Sequence, residues 1–227
     1  MASYLVEISS KNNITLNTTF NGRYQILSKI GAGGMGDVYL VSDQLRGKNV
    51  VLKLLQPQVV TASSSEILRR EFTTLASLSH PYLVRVYDFG KSTELGRYYY
   101  TMEYIDGVEF FDAVSHWPVE KMLPLFGQLF QTLDFIHSNG IFHGDIKSEN
   151  VLVVTGSDGR KSIKLMDFGL AVTHKEVGTD RSGGTLSYYA PERFRGAPLS
   201  VRTDLYAAGV FIYWACAKRP PFDGSAE

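Results

Sequence analysis

The pattern of apolar residues changes once along this 227-residue chain, close to Gly107. Ahead of that glycine, β-branched and aromatic runs separated by turn-forming residues predict five short strands in an antiparallel sheet, with one helix among them. The predicted strands are 23–29, 37–42, 48–55, 83–89 and 98–104. The predicted helix begins at a capping box formed by Ser63 and Glu66 and ends at His80-Pro81. Beyond Gly107, helical spacing dominates. The segments there are the helix 119–138, short strands at 151–154 and 163–166, and a last helix from Thr203. The predicted fold class is therefore α+β.

Composition excludes several classes of protein. Lys plus Arg and Asp plus Glu each number 23, so the zero net charge gives no reason to expect nucleic acid or an anionic membrane as a partner. The single cysteine, Cys216, excludes an internal disulfide framework and fits a cytoplasmic location. The N-terminus lacks a secretory signal pattern, and the longest apolar run, 206–217, is shorter than the ~20 residues of a membrane span. We expect no membrane span.

Four polar residues in the middle of the chain indicate a specific chemistry. They are Asp145, Lys147, Asn150 and, downstream, Asp167. Phosphoryl transfer from ATP with Mg²⁺ needs such a set, because one carboxylate orients the accepting hydroxyl while another carboxylate and an amide oxygen hold the metal. A lysine beside them can neutralise charge on the transferred group. Each carboxylate taken singly also fits a turn or a helix cap, so the hypothesis depends on the joint pattern.

A glycine-rich segment and an isolated lysine extend this set. The segment 31–36 lies between two predicted strands, so its backbone amides can approach phosphates, although a plain glycine hairpin gives the same pattern. Lys53 stands in an apolar strand, where an unpaired charge is costly. Glu71, on the predicted helix, is its natural partner. The alternative is that Lys53 reaches solvent and Glu71 is a surface acid.

With these residues identified, the chain resembles the eukaryotic-like (Hanks-type) serine/threonine protein kinases, most closely the bacterial ones, from about Gly22 onwards. The family motifs occur in the right order. They are the glycine loop 31–38, the strand lysine Lys53, the helix C glutamate Glu71, the hinge 102–105, the catalytic loop 143–150, Asp167-Phe168-Gly169, Ala190-Pro191-Glu192 and the helix F aspartate Asp204. The resemblance implies a two-lobed kinase fold. It divides the chain into an N-terminal extension (1–21), an N-lobe with hinge (22–105) and a partial C-lobe (106–227).

The resemblance also implies roles for individual residues. Asp145, Lys147 and Lys53 would be catalytic, and Asn150 and Asp167 would bind Mg²⁺. The residues assigned to ATP are Ile30, Gly31, Ala32, Gly33, Gly34, Gly36, Val38, Val51, Lys53, Glu71, Met102, Glu103, Ile105 and Leu152. Lys147, with Thr185, matches the pattern of kinases that modify serine or threonine. The implied activity is ATP-dependent phosphorylation of proteins in signal transduction, in a parent protein with room for fused regulatory domains.

Two positions and the end of the sequence depart from the family pattern. Gly144 stands where many of these kinases have an arginine that grips a phosphate on the activation loop, and Ser148 replaces the usual proline. We therefore expect activity that is not strongly gated by phosphorylation of Thr173, Thr179 or Ser182. The sequence also stops soon after the segment that matches helix F, so we expect the last C-lobe helices to be missing. Their loss would expose apolar surface and leave the platform of the peptide site incomplete.

Two other functions fit parts of the pattern. A small-molecule phosphotransferase of the aminoglycoside or choline kinase-like type also has Asn five positions after the aspartate of His-Gly-Asp. The glycine loop, Lys147 and the 190–192 segment count against that interpretation. A nucleotide-binding pseudokinase or scaffold module is the other alternative, although none of the key residues is lost.

Overall fold

The computed structural model describes residues 14–34, 36–57, 65–167 and 186–222. The chain divides into two compact units. The first unit comprises residues 1–78 and 85–104, and the second comprises 79–84 and 105–227. The domain boundaries given above from the sequence stay predictions.

The first unit is an antiparallel sheet with one helix, as the sequence predicts. The strands are β1 (Thr19–Phe20), β2 (Tyr24–Gly33), β3 (Gly36–Asp43), β4 (Lys48–Leu55), β5 (Val86–Lys91) and β6 (Tyr98–Glu103), in the order β1-β2-β3-β4-β6-β5, and the helix is α1 (Ser65–Ser77). The sheet has six strands rather than five. The additional strand β1 has two residues and lies in the polar segment that the sequence analysis treats as an extension.

Aromatic packing holds helix α1 to the sheet. Phe72 of α1 stacks on Phe89 of β5 with ring centroids 4.6 Å apart, and its ring also contacts Tyr100 of β6 at 4.7 Å. Leu68 and Phe72 are 1% and 2% exposed. The helical spacing of these side chains, read from the sequence, therefore corresponds to the face that α1 buries.

The second unit is mostly helical. Its elements are β7 (Val108–Glu109), α2 (Phe110–Ala113), α3 (Val119–Ser138), β8 (Val151–Thr155), β9 (Lys161–Leu165), α4 (Val201–Ala217) and 3₁₀ turns at Ser148–Asn150, Leu186–Tyr188 and Arg193–Arg195. Strands β7, β8 and β9 form an antiparallel sheet. Helix α3 has the bounds that the sequence predicts, and Gly140 follows it with φ 73°. Helix α4 begins at a capping box between Ser200 and Thr203.

One predicted strand is divided between the units. Residues 83–89 read as a single strand, but Leu83 makes a parallel bridge to Leu165 of β9, and the Val84 N–H donates to the Leu165 carbonyl at 2.9 Å. Strand β5 starts only at Val86. Periodicity cannot place this break, because buried apolar residues lie on both sides of it, Leu83 and Val84 before it and Val86 after it. Within the described part of the chain, none of the helices combines the length and apolar character that a membrane crossing requires.

Candidate active site

A buried carboxylate in the second unit anchors the loop that carries Asp145. Asp204 lies in the first turn of α4 and is 1% exposed. Its two oxygens accept hydrogen bonds from the backbone N–H groups of His143 (2.8 Å) and Gly144 (2.9 Å), and one of them is 2.9 Å from Nε2 of His137. Bonds from an ionised acceptor to backbone N–H groups are strong and directional. They hold the two residues before Asp145 in one conformation.

His143 is the next link in this loop. Its side chain is fully buried, Nδ1 accepts the backbone N–H of Asp145 at 3.2 Å, and Nε2 lies 3.1 Å from the carbonyl of Met166. Since Nδ1 acts as an acceptor, the ring is neutral and carries its proton on Nε2, which donates to Met166. Burial lowers the pKa of His143, despite the opposing charge of Asp204 and other carboxylates. The imidazole therefore joins the Asp145 loop to the segment that precedes Asp167.

Gly144 has a structural explanation here. Its φ of 76° lies in the left-handed region, and a Cβ added to it would come within 2.6 Å of Cδ1 of Leu199. Both the backbone conformation and the space favour glycine. The predicted consequence for phosphorylation concerns Thr173, Thr179 and Ser182, which lie outside the described residues, so that consequence stays a prediction.

Asp145, Lys147 and Asn150 form one cluster. Nζ of Lys147 is 3.0 Å from Oδ2 of Asp145. Nδ2 of Asn150 donates both to that same oxygen, at 2.9 Å, and to the Asp145 carbonyl, at 2.7 Å. Burial lowers the pKa of Lys147, but the charge of Asp145 and its hydrogen bond outweigh burial and leave the pKa raised. The lysine is therefore a cation at neutral pH, next to a carboxylate that is held on two sides.

Strand pairing brings Asp167 next to this cluster. The backbone N–H of Met166 donates to the carbonyl of Asn150 at 2.9 Å, at the point where β8 begins and β9 has ended. Asp167 itself has φ 59°. A left-handed conformation in a residue other than glycine costs on the order of 1 kcal/mol or more, and such residues are concentrated at functional sites.

The donor set of Asn150 and Asp167 fits Mg²⁺. Both hydrogen bonds of the Asn150 side chain use its Nδ2, which leaves Oδ1 to serve as a ligand, and Asp167 supplies a carboxylate. Mg²⁺ is typically held by one or two carboxylates together with waters and substrate phosphates. Among the residues that the structure describes, no group of three or more His, Cys, Asp or Glu side chains forms a closed metal cage.

In the first unit, Lys53 lies where the sequence analysis expects it, but the ion pair with Glu71 is not formed. Lys53 is 6% exposed, and Nζ lies 5.9 Å from the centre of the Tyr100 ring, among other interactions. Within the described residues, Glu71 makes no ion pair with it, and burial raises the pKa of Glu71. Such a shift is typical of a carboxylate without a neighbouring cation. The ion pair is therefore not formed between these two side chains, and the assignment of Lys53 and Glu71 to the nucleotide site stays a prediction.

The nucleotide-binding residues predicted from the sequence are distributed over both units. The glycine segment, Val51, Met102 and Glu103 belong to the first unit, and Ile105 and Leu152 belong to the second. In the first unit, Met102 is 3% exposed and pairs with Val51 across β4 and β6. The convergence of the two sets on one nucleotide stays a prediction. Met35, Phe168, Gly169 and Thr185 lie outside the described residues.

Sequence reasoning gave Asp204 no place among the site residues and did not single out His137 at all. The capping box Ser200–Thr203 at the start of an apolar helix marks an N-terminus where a carboxylate is favoured, and that signal was available for Asp204. Nothing in the sequence indicates that His137, 67 residues away, shares that carboxylate.

A protein-family model and named relatives match this chain. A family model described as the protein kinase domain matches residues 24–227. The chain is 35% identical to the serine/threonine-protein kinase pkn2 of Myxococcus xanthus, covering 90% of this chain and 25% of that protein. It is 34% identical to the serine/threonine-protein kinase PrkC of Bacillus subtilis, covering 91% and 32%, respectively. The chain therefore spans about a quarter to a third of the length of these relatives.

A solved structure is also similar. The crystal structure of the PknI kinase domain of Mycobacterium tuberculosis matches with a TM-score of 0.75 and 28% sequence identity, covering 95% of this chain and 82% of that one. The similarity extends over both the sheet unit and the helical unit, and it agrees with the fold class that the sequence predicts.

Proposed function

Because the chain belongs to the protein kinase domain family, we propose that it transfers the γ-phosphoryl group of ATP, with Mg²⁺, to serine or threonine hydroxyls of proteins. The family uses ATP, and the relatives above are serine/threonine kinases by name. The proposed context is signal transduction in the cytoplasm. The greater length of the relatives supports further regulatory domains in the parent protein.

One observation carries the proposal: the Asp145 carboxylate is held by both Lys147 and Asn150. A carboxylate fixed in this way can accept a hydrogen bond from a substrate hydroxyl and orient its oxygen for attack. Lys147 keeps a positive charge within reach of the same oxygen, where negative charge on a transferred phosphoryl group needs compensation.

The remaining residues of the loop act through positioning. Asp204 and His143 fix the backbone that leads into Asp145, through the N–H groups of residues 143 to 145. Asn150 and Asp167 would hold Mg²⁺, which neutralises charge on the nucleotide phosphates when it is bound. Lys53 and the backbone of the glycine segment would bind the nucleotide phosphates. Val38, Val51, Met102, Glu103, Ile105 and Leu152 would form the adenine site.

The test is phosphotransfer from γ-labelled ATP to a generic basic protein, with wild type beside Asp145→Asn. The variant keeps the shape and the hydrogen bond to Asn150 but loses the charge, so we expect a fall in rate of about 10²- to 10⁴-fold. ATP affinity and the melting temperature should change little. The same assay with Ser- and Thr-containing peptides, against Tyr-containing ones, identifies the accepting hydroxyl.

Two outcomes would contradict the proposal, and a third would remove Asp145 from it. Binding of ATP and Mg²⁺ without any transfer indicates a nucleotide-binding scaffold. Transfer to an aminoglycoside or choline, with none to protein, indicates a small-molecule phosphotransferase. Equal rates for wild type and Asp145→Asn would remove Asp145 from the mechanism.

A further inference from the structure

A network of charged side chains lies at one end of the glycine hairpin in the first unit. Asp37 directly follows the last glycine of the segment, and its two oxygens contact two different cations. Oδ1 is 2.7 Å from Nζ of Lys29, on β2, and Oδ2 is 3.3 Å from a guanidinium nitrogen of Arg97, just before β6. Neither the family motifs nor the sequence analysis assigns a role to Asp37 or Arg97.

Arg97 connects this carboxylate to the end of β4. The residue is 6% exposed, and it donates from Nε to the carbonyl of Leu55 (3.0 Å) and from a terminal nitrogen to that of Leu54 (3.2 Å). The hairpin approaches the same place closely, because a Cβ built on Gly36 would lie only 2.3 Å from the Leu54 carbonyl oxygen. The last glycine of the loop is therefore fixed against β4 both by contact and by charge.

The charges of this network persist at neutral pH. Burial acts to raise the pKa of Asp37, but the hydrogen bonds from Lys29 and Arg97 outweigh it and hold the pKa below its ordinary value. The hydrogen bond to Asp37 raises the pKa of Lys29. Asp37 is thus ionised, and its hydrogen bonds are charge-assisted.

The position of the network relates it to phosphate binding. In the register of β3 and β4, Asp37 lies opposite Leu54 and Val38 lies opposite Lys53. Asp37 is therefore adjacent to Val38, the residue that lies opposite Lys53. It fixes the glycine segment relative to Lys53, and these are the two features of this unit that would contact phosphates.

We propose that Asp37 and Arg97 are positioning residues for ATP binding, which hold the glycine hairpin so that its backbone amides meet the nucleotide phosphates. This inference rests on the ATP binding of the proposed function. It predicts that the network matters for the phosphates of a nucleotide and not for its nucleoside part.

The hairpin supplies its own matched control. At its opposite end, Asp43 of β3 pairs with Arg23 at 2.7 Å and is fully buried. Asp43 is at least as buried as Asp37, and it also accepts two backbone N–H groups. Asp43→Asn should therefore destabilise the sheet at least as much as Asp37→Asn. It does so far from the glycines, so an effect through stability would appear in both variants.

The experiment is calorimetric titration of wild type, Asp37→Asn and Asp43→Asn with Mg-ATP and, separately, with adenosine. Asp37→Asn should weaken Mg-ATP binding ~10-fold, the effect of losing about one charge-assisted hydrogen bond, and change adenosine binding less than ~2-fold. Asp43→Asn should change neither affinity. Asp37→Glu, which keeps the charge, should recover part of the ATP affinity. Should Asp37→Asn fail to fold, Lys29→Gln removes one arm of the network at a half-exposed side chain and should show the same selectivity.

The outcomes separate this inference from the function on which it rests. If wild type binds adenosine and Mg-ATP, but Asp37→Asn weakens both equally or neither, the positioning role is refuted and the kinase proposal stands. An equal loss of ATP affinity in Asp43→Asn also refutes it. If wild type binds no Mg-ATP, the kinase proposal itself fails, and this inference fails with it.

Discussion

The two units differ in how firmly they hold the residues that the proposed function assigns to each of them. In the helical unit, Asp145 is held by Lys147 and Asn150 on a backbone anchored by Asp204. Among the described residues of the sheet unit, Glu71 makes no ion pair with Lys53, which has other interactions, although protein kinases need this ion pair for transfer. In the helical unit, the position of Asp145 depends on hydrogen bonds that the backbone of its loop donates to Asp204. In the sheet unit, the distance between Lys53 and Glu71 depends on where helix α1 lies against the sheet, and a change of helix position or a ligand can alter it.

The largest effect on stability should come from removing Asp204, which anchors the loop that carries Asp145. Asp204→Ala leaves the buried His143 N–H, the partly buried Gly144 N–H and His137 without their acceptor, so we expect the free energy of unfolding to fall by about 3–5 kcal/mol. Urea unfolding measures the change. Asp204→Asn keeps one oxygen acceptor and should lose less. A loss below about 1 kcal/mol in Asp204→Ala would mean that the loop does not depend on this carboxylate.

A smaller loss of stability is expected when Gly144 is replaced by alanine. Alanine there must adopt φ 76° and also approach Leu199 within 2.6 Å, so Gly144→Ala should lower the free energy of unfolding by about 2–4 kcal/mol. Gly159→Ala is the matched control, because Gly159 has φ 78° and open space around it. That variant should lose only about 1 kcal/mol, the cost of the backbone conformation. Equal losses in the two variants would show that Leu199 gives way freely.

A fall in pH should destabilise the helical unit through the protonation of His143. Since burial lowers its pKa in the folded state, the unfolded chain binds the proton first as pH falls, and stability present above the unfolded pKa of ~6.5 is lost below it. The slope is at most about 1.4 kcal/mol per pH unit for one proton. His80, whose pKa burial also lowers, adds to it. Chemical unfolding between pH 7.5 and 5.5 measures the slope, and His143→Gln should flatten it. An unchanged slope in that variant would assign the effect to other groups.

The smallest effect on stability is expected at Glu71. Because burial raises the pKa of this carboxylate and Lys53 does not compensate it, Glu71→Gln should change the free energy of unfolding of the nucleotide-free chain by at most about 0.5 kcal/mol, towards greater stability. Phosphotransfer should nevertheless fall, since transfer requires the ion pair. Thermal unfolding and the labelled-ATP assay give the two values. A clear loss of stability without ligand would show that Glu71 already has a cation partner and would remove the contrast between the units.

Much of the fold could be predicted from the sequence. The bounds of α3 follow from a run of apolar residues at helical spacing, and the strands β2 to β4 follow from alternation and turn-forming residues between them. The strand prediction failed at residues 83–89, because the two halves of this segment pair with different strands. Residues 83–84 join β9 and the following residues form β5, and a local pattern contains no information about which partner each half finds.

For the site, the sequence determined which chemistry is available and tertiary structure decided how it is arranged. Asp145, Lys147 and Asn150 are within five residues of one another, so their types and spacing already specify a compact cluster. Three contacts join residues that are far apart in the chain: Asp204 anchors that cluster, neutral His143 contacts Met166, and Asp37 pairs with Arg97. The absence of a Lys53–Glu71 pair is likewise a property of the folded molecule. Such contacts depend on distances, burial and the direction of backbone groups after folding. Their energies therefore belong to the packed molecule and not to any local stretch of sequence.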